Sequence, residues 1–97
     1  MLLTPEMVIA GSRRVTLDLC VRPSAGDSDA AITCRGEVTF NGETWIAVPD
    51  LVVRASGAVD ARHVATVSGD RLRFVVEPDG RGGARAAVGL RVNLDSA

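Results

Sequence analysis

Residues 31–48, AITCRGEVTFNGETWIAV, constrain the fold of this chain more than any other stretch. Ile32, Cys34, Val38 and Phe40 alternate with Thr33, Arg35, Glu37 and Thr39; Asn41-Gly42 follows, and then a second run of strand-forming residues. Successive side chains of an extended strand point to opposite faces, so period-two alternation marks a strand with one face covered. Asn-Gly tolerates the positive φ angles of tight hairpin turns, and between two such runs it predicts a β-hairpin.

The same alternation recurs along the chain. Val15, Leu17, Leu19 and Val21 alternate with Thr16, Asp18, Cys20 and Arg22, a half-buried strand in which Cys20 faces away from the core side. Residues 23–29, PSAGDSD, read as a loop on composition. Leu51 to Ala55 is a further apolar strand candidate, and Leu72, Phe74 and Val76 define one face of a strong strand over 71–77. Val88, Leu90, Val92 and Leu94 define one face of a terminal strand, expected to pair with the 72–76 run across a flexible 78–83 connection. The stretch 56–66 is ambiguous between a short helical turn near 58–62 and a strand, and Ser68-Gly69-Asp70 reads as a turn. Six to eight strands and no long helical period predict an all-β chain: one domain over 1–97, a small antiparallel sandwich or barrel.

Two registers are open to the Asn-Gly hairpin. A two-residue loop sets Val38 opposite Trp45, whereas a three-residue loop with Gly42 in the left-handed position sets Val38 opposite Thr44. A slip of one residue inverts every side chain of the second strand. Burying a large aliphatic side chain contributes about 1.5–3 kcal/mol. The bulged register buries Ile46 and Val48 and keeps Arg35 and Glu37 among polar neighbours, so it is favoured. It places Trp45, the single Trp, on the outer face as a candidate contact residue.

Composition narrows the chemistry. Ninety-seven residues, 46% of them apolar, suit one modest core. Eleven basic residues, all Arg, balance twelve acidic ones, and a net charge of −1 argues against general nucleic-acid affinity. The absence of Lys is the codon bias expected of a GC-rich genome, here expected to be bacterial, in preference to selection for Arg chemistry. No apolar run approaches the roughly 20 residues of a membrane-spanning helix, and the N-terminal stretch lacks the basic start of a secretory signal, so a cytoplasmic location is expected. There a structural disulfide between Cys20 and Cys34 is disfavoured, and two Cys with one distant His fall short of a zinc framework.

Four motifs carry weaker signals. His63, the sole histidine, has Asp60 nearby as an orienting carboxylate, but no nucleophile is placed by sequence. Asp27 and Asp29 begin an Asp-x-Asp pattern without the rest of a calcium loop. Residues 80–83, Gly-Arg-Gly-Gly, with Arg85, offer an anion-binding loop without a P-loop pattern. Arg35, Arg71, Arg73 and Arg91, with Arg13-Arg14, could form a basic stripe for nucleic acid or an acidic partner, yet Glu37, Glu43, Asp70 and Glu77 lie among them, and cross-strand ion pairing explains the same residues.

With no nucleophile, metal set or cofactor loop, the expectation is a non-catalytic interaction module with no cofactor. Its partner is a protein or a second copy, met through an edge strand, with Trp45, Arg35, Glu37, Leu90 and Val92 as contact candidates. The alternative is a small-molecule-binding or catalytic β-barrel using His63, with Arg54 or Arg62 holding an anion.

Overall fold

A computed structural model describes residues 2–22, 31–78 and 87–96. Six strands follow in order: β1 (Leu2–Leu3), β2 (Met7–Arg22), β3 (Ala31–Thr39), β4 (Trp45–Ser56), β5 (Val59–Pro78) and β6 (Ala87–Ser96). All pairings are antiparallel. The sheet runs β4-β3-β5-β2-β6, with β1 paired to β5 beside β3's partner segment. Among the described residues there is no helix, and none is therefore long and apolar enough to cross a membrane.

The all-β, antiparallel reading holds, and the finer architecture is corrected. The strands form one open sheet, not a six-to-eight-strand sandwich or barrel, because β4 and β6 end the order and are not bonded to each other. Two pairs of expected short segments merge into long strands, the second hairpin run with 51–55 in β4 and the 64–67 and 71–77 runs in β5. Ser68-Gly69-Asp70 does not reverse the chain: β5 continues for 20 residues through Gly69, whose φ is +155°. A Cβ at Gly69 would lie 3.0 Å from the Thr39 carbonyl oxygen, so glycine lets β3 approach there. On β2 the register with β5 shifts between Val8 and Gly11, a β-bulge with Ala10 and Gly11 at positive φ. Both long strands are thus irregular at the same level of the sheet.

This level divides β5. Its first part, Val59 to Leu72, pairs with β2, and its last part, Arg71 to Pro78, pairs with β3. The expected helical turn at 58–62 is extended strand from Val59 onward, because alternation with Asp18, Leu19 and Cys20 on β2 satisfies its backbone. The 72–76 run pairs with β3 and β1, while β6 pairs with β2. The hairpin expected between 72–76 and 86–94 is therefore absent.

One core serves both parts. Val15, Leu17, Leu19 and Val21 of β2 are buried in the same cluster as Ile32 and Cys34 of β3, Leu51, Val53 and Ala55 of β4, and Phe74 and Val76 of β5. The inward set on β2 matches the expected alternation, and Cys20 stands on the other face, half-buried. Val88, Leu90, Val92 and Leu94 of β6 pack against this core from its margin and stay half-buried.

The 31–48 hairpin adopts neither expected register. Thr39 pairs with Trp45 and Val38 with Ile46, leaving a five-residue loop from Phe40 to Thr44. The Asn41 side-chain carbonyl explains it: Oδ1 accepts from the Glu43 and Thr44 backbone N–H groups, each at 2.9 Å, and from the Thr39 hydroxyl at 3.2 Å. The Gly42 N–H donates to the Thr39 Oγ1 at 2.9 Å, with Gly42 at φ +81°. A side-chain carbonyl that replaces the backbone turn acceptor permits a wider loop than Asn-Gly usually closes. Ile46 is accordingly not a core residue, being 52% exposed, while Val48 is half-buried and packs against the core. A second irregularity sets Arg35 opposite Val52 but Glu37 opposite Ala47, so Gly36 alone faces 48–51 of β4. This shift turns Leu51, Val53 and Ala55 inward.

Candidate functional site

The candidate residues fall into two separate groups. Trp45, Arg35 and Glu37 lie on β4 and β3, whereas Leu90 and Val92 lie on β6, at the opposite end of the sheet order.

The first group forms a charged ladder on the face away from the core. Glu37 is only 8% exposed, a costly position for a carboxylate unless it is paired. It is doubly paired: Arg35 Nε donates to Oε2 at 3.0 Å and Arg73 Nε to Oε1 at 2.9 Å. Arg35 reaches on to Glu77 at 3.2 Å. The Arg73 guanidinium covers the Trp45 ring, 4.1 Å from its centroid. The ladder therefore runs Glu77, Arg35, Glu37, Arg73, Trp45. Trp45 does stand on the outer face, but half-buried under this guanidinium. Desolvation works to raise the Glu37 pKa, and the hydrogen bonds from Arg35 and Arg73 outweigh it, leaving it below the ordinary value.

That shift has a direction in pH. A carboxylate with a depressed folded pKa stabilises the fold fully above its unfolded pKa and loses that contribution as pH falls through the folded value. The melting midpoint is expected to drop on acidification below about pH 4.5, the ordinary carboxylate range. Glu37→Gln should lower the midpoint at neutral pH and flatten this acid limb. An acid limb of unchanged slope in Glu37→Gln would remove Glu37 from the account.

Three arginines of the expected stripe, Arg35, Arg73 and Arg71, are ion-paired, and two arginines outside it are paired in the same way. Arg71 meets Glu6 at 3.0 Å, Arg62 meets Asp18 at 2.7 Å and Arg22 meets Asp60 at 2.8 Å. Hydrogen bonds from Arg62, then its charge and that of Arg91, hold the Asp18 pKa below its ordinary value. Hydrogen bonds from Arg22 and then from the Cys20 thiol do the same for Asp60.

Asp60 does not orient His63. Three residues apart on an extended strand, the two point to opposite faces and stand about 10 Å apart; Asp60 is held by Arg22, and His63 is opposite Leu17. His63 lines neither of two surface hollows, one of about 550 Å³ around Asp18, Cys20, Asp60, Arg62 and Gly89, the other of about 410 Å³ beside Ile32 and Arg54. Arg62, one candidate anion holder, is engaged by Asp18. Among the described residues no three His, Cys, Asp or Glu side chains gather as a metal site. The Asp27/Asp29 and Gly80–Arg85 motifs, and the loops at 23–29 and 79–83, lie outside the described residues.

The two thiols differ by burial. Cys34 is enclosed in the core, and desolvation pushes its pKa up to about 11. Since the thiolate is the reactive form, one thiol equivalent, Cys20, is expected to react with an aromatic disulfide reagent in the native protein, and the second only after unfolding. Two rapid equivalents without denaturant would contradict the burial of Cys34.

The second group sits on an edge. β6 forms ten consecutive register pairs with β2, from Arg22–Ala87 to Arg13–Ser96, without a shift. No strand pairs with its other side among the described residues. Its outer face carries Gly89, Arg91, Asn93 and Asp95, all exposed, and its inner face the half-buried Val88, Leu90, Val92 and Leu94. Neither Lys nor Pro occurs in it. The sequence alternation located this strand but not its free side, since which strand ends the order depends on pairing partners remote in the chain. Comparison with family models, with curated proteins and with solved structures yields no match to this chain.

Proposed function

We propose that the protein is a non-catalytic interaction module that adds a partner's β-strand to the free edge of β6. The observation that carries this reading is the contrast between the two ends of the sheet. An edge strand presents unpaired N–H and C=O groups to any passing strand, and bulges, prolines and lysines are the usual guards. β4 is guarded: its pairing with β3 is broken opposite Gly36, and Pro49 sits in the break. β6 is straight in register, ten residues long and carries two charges, Arg91 and Asp95. Strand addition draws affinity from main-chain hydrogen bonds and specificity from alternate side chains. The charged ladder argues the same way by elimination, because Arg35, Glu37 and Arg73 already satisfy one another.

The test uses two single substitutions, Val92→Pro and Asn93→Pro. Backbone N–H groups of neighbouring strand residues point to opposite sides, so one of the two removes a bond to β2 and the other only a free donor. The variant that lowers the melting midpoint less, Val92→Pro being compared with Val92→Ala to allow for the side chain packed against the core, has lost only the outward N–H. The quantity of protein it captures from an extract of the native host is expected to fall relative to wild type. Undiminished capture in that variant, with loss in Trp45→Ala, would move the interface to the face of β3, β4 and β5.

A further inference from the structure

The outer face of β6 has a charge order that is complementary to itself. Arg91, Asn93 and Asp95 alternate along one side of the strand, and all three are exposed. Two-fold symmetric pairing of an edge strand with its own copy is antiparallel and matches residues about a centre. Centred on Asn93, that pairing sets Arg91 opposite Asp95 of the partner subunit twice over, with Asn93 facing itself and Val92 facing Leu94 of the partner subunit on the inner side. Moving the centre to Arg91 stacks like charges, and moving it to Val92 leaves Arg91 opposite an asparagine and Asp95 opposite a glycine. Opposite charges directly across a strand pair are favourable, and like charges are not.

The neighbouring strand extends the pattern. Within one subunit Asp95 pairs in register with Arg14, and Arg91 with Asp18, which Arg62 also holds. Across the seam the outer face would read Arg14, Asp95, then the partner's Arg91 and the partner's Asp18, each charge beside its opposite. The inner side is equally matched. Val92 and Leu94 are half-buried at the margin of the core, and the seam would cover the margins of both cores.

We infer that the strand accepted at the β6 edge is β6 of a second copy, giving a two-fold dimer with one continuous sheet centred on Asn93. This rests on the reading of β6 as an open docking edge and adds the partner and the register.

Light scattering on size-separated protein tests it with Arg91→Asp, Asp95→Arg and their mixture. Wild type is expected to be a dimer. Each variant alone replaces two opposite-charge pairs with two like-charge pairs and is expected to associate about tenfold or more weakly. Mixing the two variants restores both opposite-charge pairs and should recover the dimer as a heterodimer. Both positions are exposed, and a circular dichroism spectrum unchanged from wild type establishes that each variant is folded. Wild type that stays monomeric overturns the second-copy partner while leaving strand addition to the capture experiment. Dimers that ignore the substitutions, or a mixture that does not recover, overturn the register.

Discussion

Phe74→Ala is expected to lower the unfolding free energy by about 3–5 kcal/mol, the range for deleting a buried aromatic ring. Phe74 is fully buried and heads the buried side chains by volume. It sits on the segment of β5 that pairs with β3, opposite Gly36. The cost combines lost transfer free energy with the cavity left behind, and a β-sheet pinned by hydrogen bonds on both sides of β5 cannot collapse into the space. Small domains are stable by about 5–15 kcal/mol, so the variant should be marginal at room temperature. Urea unfolding followed by circular dichroism measures it; a loss below about 1 kcal/mol would mean that the ring is not central to the core.

Gly36→Ala is expected to be the next most damaging change, at about 1–3 kcal/mol or more, as for overpacking a tight core. A Cβ there would lie 2.9 Å from both Cβ and Cδ1 of Leu51 and 3.1 Å from Cε1 of Phe74. The Leu51 Cβ cannot swing aside, because it moves only with the backbone. Gly36 is also the residue that faces the break in β4, so the methyl would push on the segment whose shift turns Leu51 inward. The two substitutions share a contact and should not add. Removing the Phe74 ring opens room on one side of the new methyl, so the Gly36→Ala/Phe74→Ala pair is expected to cost less than the sum of its members. Strict additivity in urea unfolding would show that Gly36 is held by something other than this packing.

These residues also show where sequence patterns carried and where they stopped. Alternation is a local property, and it placed Val15 to Val21, Leu72 to Val76 and Val88 to Leu94 on the correct faces of correct strands. It could not decide what glycine at 69 does, because a glycine between polar residues permits a chain reversal and a bend equally well. The difference lies in the pairing of Ser68 with Ser12 and of Arg71 with Thr39, far away in sequence. The hairpin loop failed for a local but side-chain reason: Asn41 holds two backbone N–H groups that the tight-turn rule assigns to backbone acceptors. Trp45 was legible as an outer-face residue, but its cover was not, since Arg73 reaches it through a third strand. The charged residues of the proposed seam were visible in the sequence. Their joint position on one exposed edge appears only once β6 is known to pair with β2 and nothing else described.

The β6 edge is tested most directly by residue-resolved amide hydrogen exchange along 87–96 as a function of protein concentration. In dilute solution alternate amides, those bonded to β2, should be protected and the intervening ones should exchange at near-free rates. At high concentration the intervening amides between Leu90 and Ser96 should gain protection, with the rest of the sheet unchanged. Protection that rises along Trp45–Ser56 instead, or a β6 whose free amides stay unprotected at every concentration and with captured partner present, would contradict the account.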